Sequence, residues 1–243
     1  MKKTVLITGS SSGIGAAIAV ASAKAGYFVL VTYRNNKKGG EATLKEVKKY
    51  ADGKLLYADL ENRSEVTKLF DDFKKASISV DYLVNNAGNS MGGALDDYDM
   101  WEKQWKNIFM SQVIVTNEFV KMPHKGQRKI VNISSIYAYP ELGFEGFSQY
   151  NAAKAAVVSF TMSLAKKFTP EILVNSVAPG YTWTDPWEGT SKENLDAVKR
   201  LNRIGRFVKP EEIASAVLFL LSNDAITGEV IRVDGGLHLI HNI

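Results

Sequence analysis

The sequence predicts an α/β chain: one domain built on a doubly wound sheet of seven mainly parallel strands, with helices on both faces. Three observations carry this. Short β-branched runs alternate with longer amphipathic stretches from one end to the other, as repeated β-α units require. The short runs are mostly apolar on both faces, as strands buried between two helical layers should be. No composition shift, internal repeat or low-complexity segment divides the 243 residues, a length at which one α/β domain buries roughly 70–75% of its unfolded surface.

The elements follow in order. Strands are expected at Thr4–Thr8, Phe28–Tyr33, Lys54–Tyr57, Asp81–Asn85, Lys129–Ile133, Leu173–Val177 and Glu229–Val233. Helical periodicity occupies 13–25, 38–50, 64–75, 97–121, 148–168 and 210–221, the last opening on Pro210-Glu211-Glu212, a good helix start. The stretch from Gly180 to Arg203 breaks the rhythm. It is too long for a plain connection and carries Trp183 and Trp187, so 181–203 is expected to be a substrate lid.

Composition narrows the chemistry. Without cysteine there is no disulfide, thiolate nucleophile or thiolate zinc site, and only His124, His238 and His241 remain for a metal, so no metal is expected. The net charge of +4 is small, its basic residues are interspersed with acidic ones, and no nucleic-acid module is recognisable; no nucleic-acid partner is expected. The opening MKKTVLITGS has too short an apolar run for a signal-peptide core or a membrane span, and Ile213–Leu221 is likewise too short to span. A cytoplasmic protein without a membrane partner is expected.

Directly after the first strand comes Thr8-Gly9-Ser10-Ser11-Ser12-Gly13-Ile14-Gly15, and a helix begins there. Glycines permit a tight turn and a close backbone approach, while unpaired N–H groups and the helix dipole favour an anion. Gly9, Ser11, Ser12, Gly13, Ile14 and Gly15 are thus candidate phosphate binders, the alternative being a loop that merely turns the chain. The spacing T-G-x-x-x-G-x-G differs from the common dinucleotide fingerprint and resembles that of the short-chain dehydrogenase/reductase family, whose fold is Rossmann-type. At the end of the second strand, where NAD-dependent relatives usually carry Asp, stand Tyr33 and then Arg34. A guanidinium matches a 2′-phosphate that a carboxylate would repel, so NADP(H) is favoured over NAD(H). The alternative is a solvated charge at a strand end.

The spacing Tyr-x-x-x-Lys occurs at Tyr33/Lys37, Tyr50/Lys54 and Tyr150/Lys154, but only the last pair lies in a convincing helix, where i and i+4 share a face. The preceding strand ends in Ile133-Ser134-Ser135, and open parallel sheets bind ligands at the carboxyl ends of their strands. Reduction of a carbonyl needs a proton donor and a hydrogen-bond donor in place as alkoxide charge develops. Tyr150 is the expected acid/base, tuned by the Lys154 ammonium and by an oxidised nicotinamide, and Ser135 is expected to hold the carbonyl oxygen. The fourth residue implied by the resemblance is Asn107, anchoring a proton relay. Taken singly, each has an ordinary alternative: a surface pair, a turn-capping Ser, a helix-bending Asn.

The resemblance covers nearly the whole chain. Asn85-Asn86-Ala87-Gly88 is similar to the family's N-N-A-G, implying that Asn86, Ala87 and Gly88 lie along the cofactor. Asp59-Leu60 resembles its adenine-contacting pair, and Pro179-Gly180 with Thr182 and Thr184 the segment at the nicotinamide carboxamide. Thr227 to Gly236 resembles the C-terminal signature, which in relatives belongs to a subunit interface and implies a dimer or, more often, a homotetramer. Length, motif order and the N-R-I-G-R-F-V-K-P-E-E-I-A ending are most like 3-oxoacyl-carrier-protein reductases. That implies a carbonyl/alcohol substrate on acyl carrier protein, with Lys121, His124, Lys125, Arg128 and Lys129 as a basic cluster at the entrance or a solvated helix end. Phe168-Thr169-Pro170-Glu171 departs from it, with a proline and an acid where carrier-binding relatives often have a base. The bulky residues Met91, Tyr137, Tyr139, Pro140, Leu142, Phe144, Phe147, Trp183 and Trp187 could line an apolar site or pack against one another. Other readings are a different ketone, sugar or steroid-like reductase, and a non-catalytic NADP-binding protein.

Overall fold

Seven strands form one wholly parallel sheet in the order β3-β2-β1-β4-β5-β6-β7 in a computed structural model that describes residues 2–143, 145–184 and 187–239. The strands are β1 Thr4–Ile7, β2 Phe28–Tyr33, β3 Gly53–Tyr57, β4 Tyr82–Asn85, β5 Arg128–Ile133, β6 Ile172–Pro179 and β7 Val230–Val233. All seven stand within a few residues of their predicted places. Parallel neighbours require a crossover on one face or the other, so helices cover both faces.

On one face, α1 (Gly13–Lys24), α2 (Lys37–Val47) and α8 (Pro210–Ser222) pack over Val5, Ile7, Val29, Val31, Val84 and Val177. On the other, α3 (Arg63–Lys75), α5 (Ser111–Lys121) and α6 (Ser148–Phe168) cover Leu6, Leu30, Leu83, Ile130 and Val174, with Phe70 and Phe119 fully buried between. Successive strand residues alternate between these two cores, which is the period-2 rule of a pleated strand.

Two differences from the sequence reading bear on function. The stretch 97–121 is not one helix: α4 (Tyr98–Gln104) runs into a π-helical turn, Trp105–Met110, before α5 begins. The amide of Ser111 reaches back five residues to the Lys106 carbonyl, so the Asn107 carbonyl takes the Ser111 Oγ instead, at 2.7 Å. The second difference lies after β6, where a helix, α7 (Lys192–Leu201), occupies a stretch read as a loop. Ser191 caps it by accepting from the Asn194 amide, while none of its residues is buried. Its apolar stripe is therefore too thinly packed to announce a core helix. Phe144 and His241, and residues 185 and 186 of the expected lid, lie outside the described residues.

The sheet reverses direction of growth between β1 and β4, whose crossovers depart to opposite faces. The crevice at their carboxyl ends is where such sheets take ligands.

Candidate active site

The glycine loop is built by the hydroxyls around it. Thr32 Oγ1 accepts from the Gly9 amide at 2.9 Å and donates to the Ile7 carbonyl at 3.1 Å. Ser10 Oγ accepts from the Thr32 amide at 2.8 Å, and Thr8 Oγ1 accepts from the amides of Asn86 and Ala87 at 2.9 and 3.0 Å. The Asn86 side chain donates to the carbonyls of Thr8 and Gly9 at 2.9 and 3.0 Å, so the two cofactor motifs of the sequence brace each other. Thr8, Ser10 and Thr32 were not singled out from the sequence; their signal, a hydroxyl at the end of a buried apolar strand, is weak in isolation.

Gly9 sits at φ +63°, and a Cβ there would lie 2.8 Å from Ala87 Cα, so the loop has room for glycine only. Substituting Gly9 by Ala is expected to destabilise the chain by ~1–3 kcal/mol in urea unfolding and to weaken dinucleotide binding. Unchanged stability and affinity would show that the turn does not need glycine.

The residues fit a dinucleotide. Ser12 makes no side-chain cap on α1, leaving the first-turn amides unpaired. Gly13, at φ +54°, faces Thr184, whose Cγ2 would lie 3.2 Å from an added Cβ, so the glycine loop and the segment after β6 stand against each other. Thr182 is buried, donating to the Gly180 carbonyl at 3.1 Å, and Pro179 ends β6 at the same edge. Farther along, Tyr33 packs edge-on against Tyr57, and Arg34 Nη1 lies 2.6 Å from Glu61 and 3.4 Å from Asp59. Leu60 is packed into the core beside Val66 and Phe70. Gly88, at φ +137°, lies over Ile108 and the Asn107 carbonyl of the π-helical turn.

Four buried polar residues set the position of α6. Asn85 Nδ2 donates to Asn132 Oδ1 at 2.9 Å and to Thr116 Oγ1 at 3.0 Å, while Asn132 Nδ2 donates to Thr161 Oγ1 at 2.9 Å. This chain of bonds ties β4, α5, β5 and α6 together at one depth, an arrangement that fixes a unique register. Asn132, Thr116 and Thr161 were invisible in the sequence, since only the fold brings them into contact.

On α6, Tyr150 and Lys154 stand one turn apart, with Nζ 5.8 Å from the phenol ring centroid. Lys154 is buried and donates to the Ile133 carbonyl at 2.9 Å, the residue before Ser134-Ser135. Burial pulls its ammonium down to about 8, so it stays protonated below that pH. Burial pushes the Tyr150 phenol up, and a hydrogen bond with the Ser135 hydroxyl pulls it back down. Ser135 is itself buried, its Oγ accepting from the Tyr137 amide at 3.2 Å. The structure thus brings Ser135, Tyr150 and Lys154 together. The other two Tyr-x-x-x-Lys pairs are split between elements: Tyr33 ends β2, and Tyr50 follows α2 with Lys54 on β3.

Asn107 is placed differently. Its side chain accepts from the Asn89 amide at 3.0 Å and donates to Glu61 at 3.1 Å, so its amide group is turned toward the cofactor crevice. Glu61 was not marked from the sequence. Although burial raises its carboxyl, the bonds from Asn107 and Arg34 outweigh this and hold it below the usual range.

Aromatic residues wall the other side. Tyr137 packs edge-on against Tyr181, Tyr181 against Trp187 and Trp183 against Phe207, while Trp187 lies tilted against Phe207. Burial, the bonded Tyr181 phenol and the neighbouring Tyr150 raise the Tyr137 phenol. Tyr139 is capped by Arg232 of β7, 3.9 Å above its ring.

The basic cluster expected at the entrance stands at the opposite end of β5. Arg128 opens β5 whereas Ser135 follows its far end, about 20 Å away for six strand residues. Arg128 is buried and donates to the Phe119 and Met122 carbonyls, and Lys129 is buried with Nζ on Leu221, Asn223 and Asp224. His124 faces Asp81 and Lys121 pairs with Glu118. These residues hold helix ends at the amino edge of the sheet and do not surround the mouth of this chain's crevice.

Residues 9–238 match the family profile described as Enoyl-(Acyl carrier protein) reductase. The chain belongs to the short-chain dehydrogenase/reductase family. A 3-oxoacyl-[acyl-carrier-protein] reductase of Aquifex aeolicus is 36% identical over 244 residues, covering 97% of each chain. An actinorhodin polyketide ketoreductase variant solved with NADPH superposes with a TM-score of 0.87 at 32% identity, covering 97% of both chains. The RhlG/NADP active-site complex of Pseudomonas aeruginosa gives 0.89 at 29% identity, over 97% of this chain and 96% of that one. The protein is accordingly an oxidoreductase acting between carbonyl and alcohol, and no helix among the described residues is long and apolar enough to cross a membrane.

Proposed function

We propose that this short-chain dehydrogenase/reductase is an NADPH-preferring reductase of 3-oxoacyl thioesters carried on acyl carrier protein. The observation that carries the reading is the convergence of Ser135, Tyr150 and Lys154 at the end of β5, on the same edge of the sheet as the glycine loop. When bound, the nicotinamide supplies a hydride to the carbonyl carbon. The Tyr150 phenol gives its proton to the carbonyl oxygen, and the Ser135 hydroxyl donates a hydrogen bond to that oxygen as charge develops on it. Lys154, a buried cation below pH of about 8, favours the phenolate left behind and so lowers the barrier to proton transfer. Asn107 anchors the relay that reprotonates Tyr150, through a backbone carbonyl displaced from regular helical bonding by the π-helical turn.

Arg34 stands where a 2′-phosphate would be recognised, with Tyr33 beside it. Gly9, Ser11, Ser12, Gly13, Ile14 and Gly15 take the pyrophosphate; Asp59 and Leu60 bound the adenine. Asn86, Ala87, Gly88, Pro179, Gly180, Thr182 and Thr184 line the remaining length. A homotetramer and a cytoplasmic location belong to the same reading. Exposed Trp105 and Met162 offer apolar surface for subunit contact, and 181–203 acts as the lid of a single domain.

The aromatic wall of Tyr137, Tyr181 and Trp187 favours a second reading, a reductase of bulkier ketones, because Tyr137 neighbours Tyr150 and carries the other two rings behind it. Steady-state rates on a panel of 3-oxoacyl thioesters, sugars and bulky ketones with NADPH separate the two. The first reading expects the highest kcat/KM for acyl thioesters. A preference for cyclic or aromatic ketones, with thioesters barely turned over, would replace it.

A further inference from the structure

Arg34 and Asn107, which come from opposite sides of the cofactor crevice, meet on one carboxylate. Glu61 Oε1 lies 2.6 Å from Arg34 Nη1 and 3.1 Å from Asn107 Nδ2. Arg34 follows β2, Glu61 follows β3, and Asn107 sits in the π-helical turn beyond β4, so this bridge spans the edge of the sheet where an adenosine ribose would rest. Asp59 adds a weaker contact to the same Arg34 nitrogen at 3.4 Å.

The ion pair contributes little to stability. Its side chains are 40% and 31% exposed, and pairs so open to water are weak. Its consequence is for recognition. A carboxylate and a phosphate dianion compete for the same guanidinium and repel each other when both are near it. When Arg34 turns away, Glu61 keeps Asn107 as a donor, so the exchange strands no buried charge.

We propose, building on the reading of Arg34 as the 2′-phosphate selector, that Glu61 is a cofactor-selectivity residue: its carboxylate competes with the 2′-phosphate for Arg34 and narrows the preference for NADPH over NADH. Glu61 meets the 2′-phosphate only through charge, so its effect falls on the phosphorylated cofactor and fades as salt screens it.

The test is equilibrium binding of NADPH and NADH to the full chain, followed by nicotinamide fluorescence at low salt, for wild type, Glu61→Gln, Arg34→Ala and the double variant. The glutamine keeps an oxygen for Asn107 and removes only the charge. Glu61→Gln should tighten NADPH binding about three- to five-fold, leave NADH nearly unchanged, and have a clearly smaller effect once Arg34 is Ala, where only the direct repulsion between carboxylate and 2′-phosphate is left. If Arg34→Ala lowers the NADPH preference but Glu61→Gln leaves it unchanged, weakens NADPH, or tightens both cofactors alike, the role of Glu61 is overturned and that of Arg34 stands. Arg34→Ala without effect on the preference removes the selector itself, and Glu61 falls with it.

Discussion

Replacing Tyr150 by Phe is expected to lower kcat/KM for carbonyl reduction by roughly a hundred- to ten-thousand-fold, the range a positioned proton donor contributes. Only one oxygen is removed, and the ring still packs against Ile108, Ala153 and Val157, so thermal unfolding should be little changed. The loss should appear in kcat and kcat/KM together, because the phenol acts in the transition state and not in holding the ground state. Ser135→Ala should reproduce part of the loss. Without substrate its hydroxyl pulls down the Tyr150 phenol, and with substrate bound the same O–H turns to the carbonyl oxygen. A Tyr150→Phe variant with undiminished turnover would move the proton source elsewhere, and Tyr137, the neighbouring phenol, would be the first alternative to examine.

Arg34→Asp is expected to weaken NADPH by roughly ten- to a hundred-fold, the worth of one or two charge-assisted hydrogen bonds to phosphate, and to improve NADH. The size of the effect comes from sign reversal. Arg34 now neutralises Asp59 and Glu61, and with Asp in its place three carboxylates would crowd the ribose pocket, repelling a dianion and offering acceptors to a 2′-hydroxyl. The exposure of all three sites keeps the stability change small. Dissociation constants for both cofactors at fixed salt decide it: a ratio that does not move would show that selection does not rest on Arg34.

Much of the architecture was legible because its signals are local. Phe28–Tyr33 is a run of β-branched and aromatic residues broken only by Leu30, and 148–168 carries helical periodicity over 21 residues; both stand in the structure with the boundaries read from sequence. The glycine loop and Tyr150/Lys154 were legible for the same reason, since spacing along one element already fixes their geometry. What escaped depends on register between elements. The buried chain Asn85–Asn132–Thr161 needs three elements in place before its amides find partners. Glu61 is one acid among many in the sequence, and only the fold sets Arg34 and Asn107 on either side of it. The π-helical turn inserts a residue into an otherwise regular pattern, which hydrophobic periodicity does not register. The basic residues near β5 misled through sequence proximity: they precede a strand whose functional end is the other one, and Arg128 and Lys129 are consumed by backbone carbonyls. Helix α7 hides in a stretch whose break in rhythm reads as one long loop, although Leu195, Val198 and Leu201 recur at helical spacing behind the Ser191 cap.

The chemistry proposed here rests on a phenol whose ionisation responds to its surroundings. Burial raises Tyr150 while Ser135 opposes it, and a positive nicotinamide ring beside Lys154 should lower it further. The most direct measurement is the ultraviolet absorbance titration of tyrosinate, taken as the difference between wild type and Tyr150→Phe, with and without saturating NADP+. The phenolate of Tyr150 is predicted to form at distinctly lower pH when NADP+ is bound. Identical titrations in the two conditions would contradict the assignment of Tyr150 as the tuned acid and base.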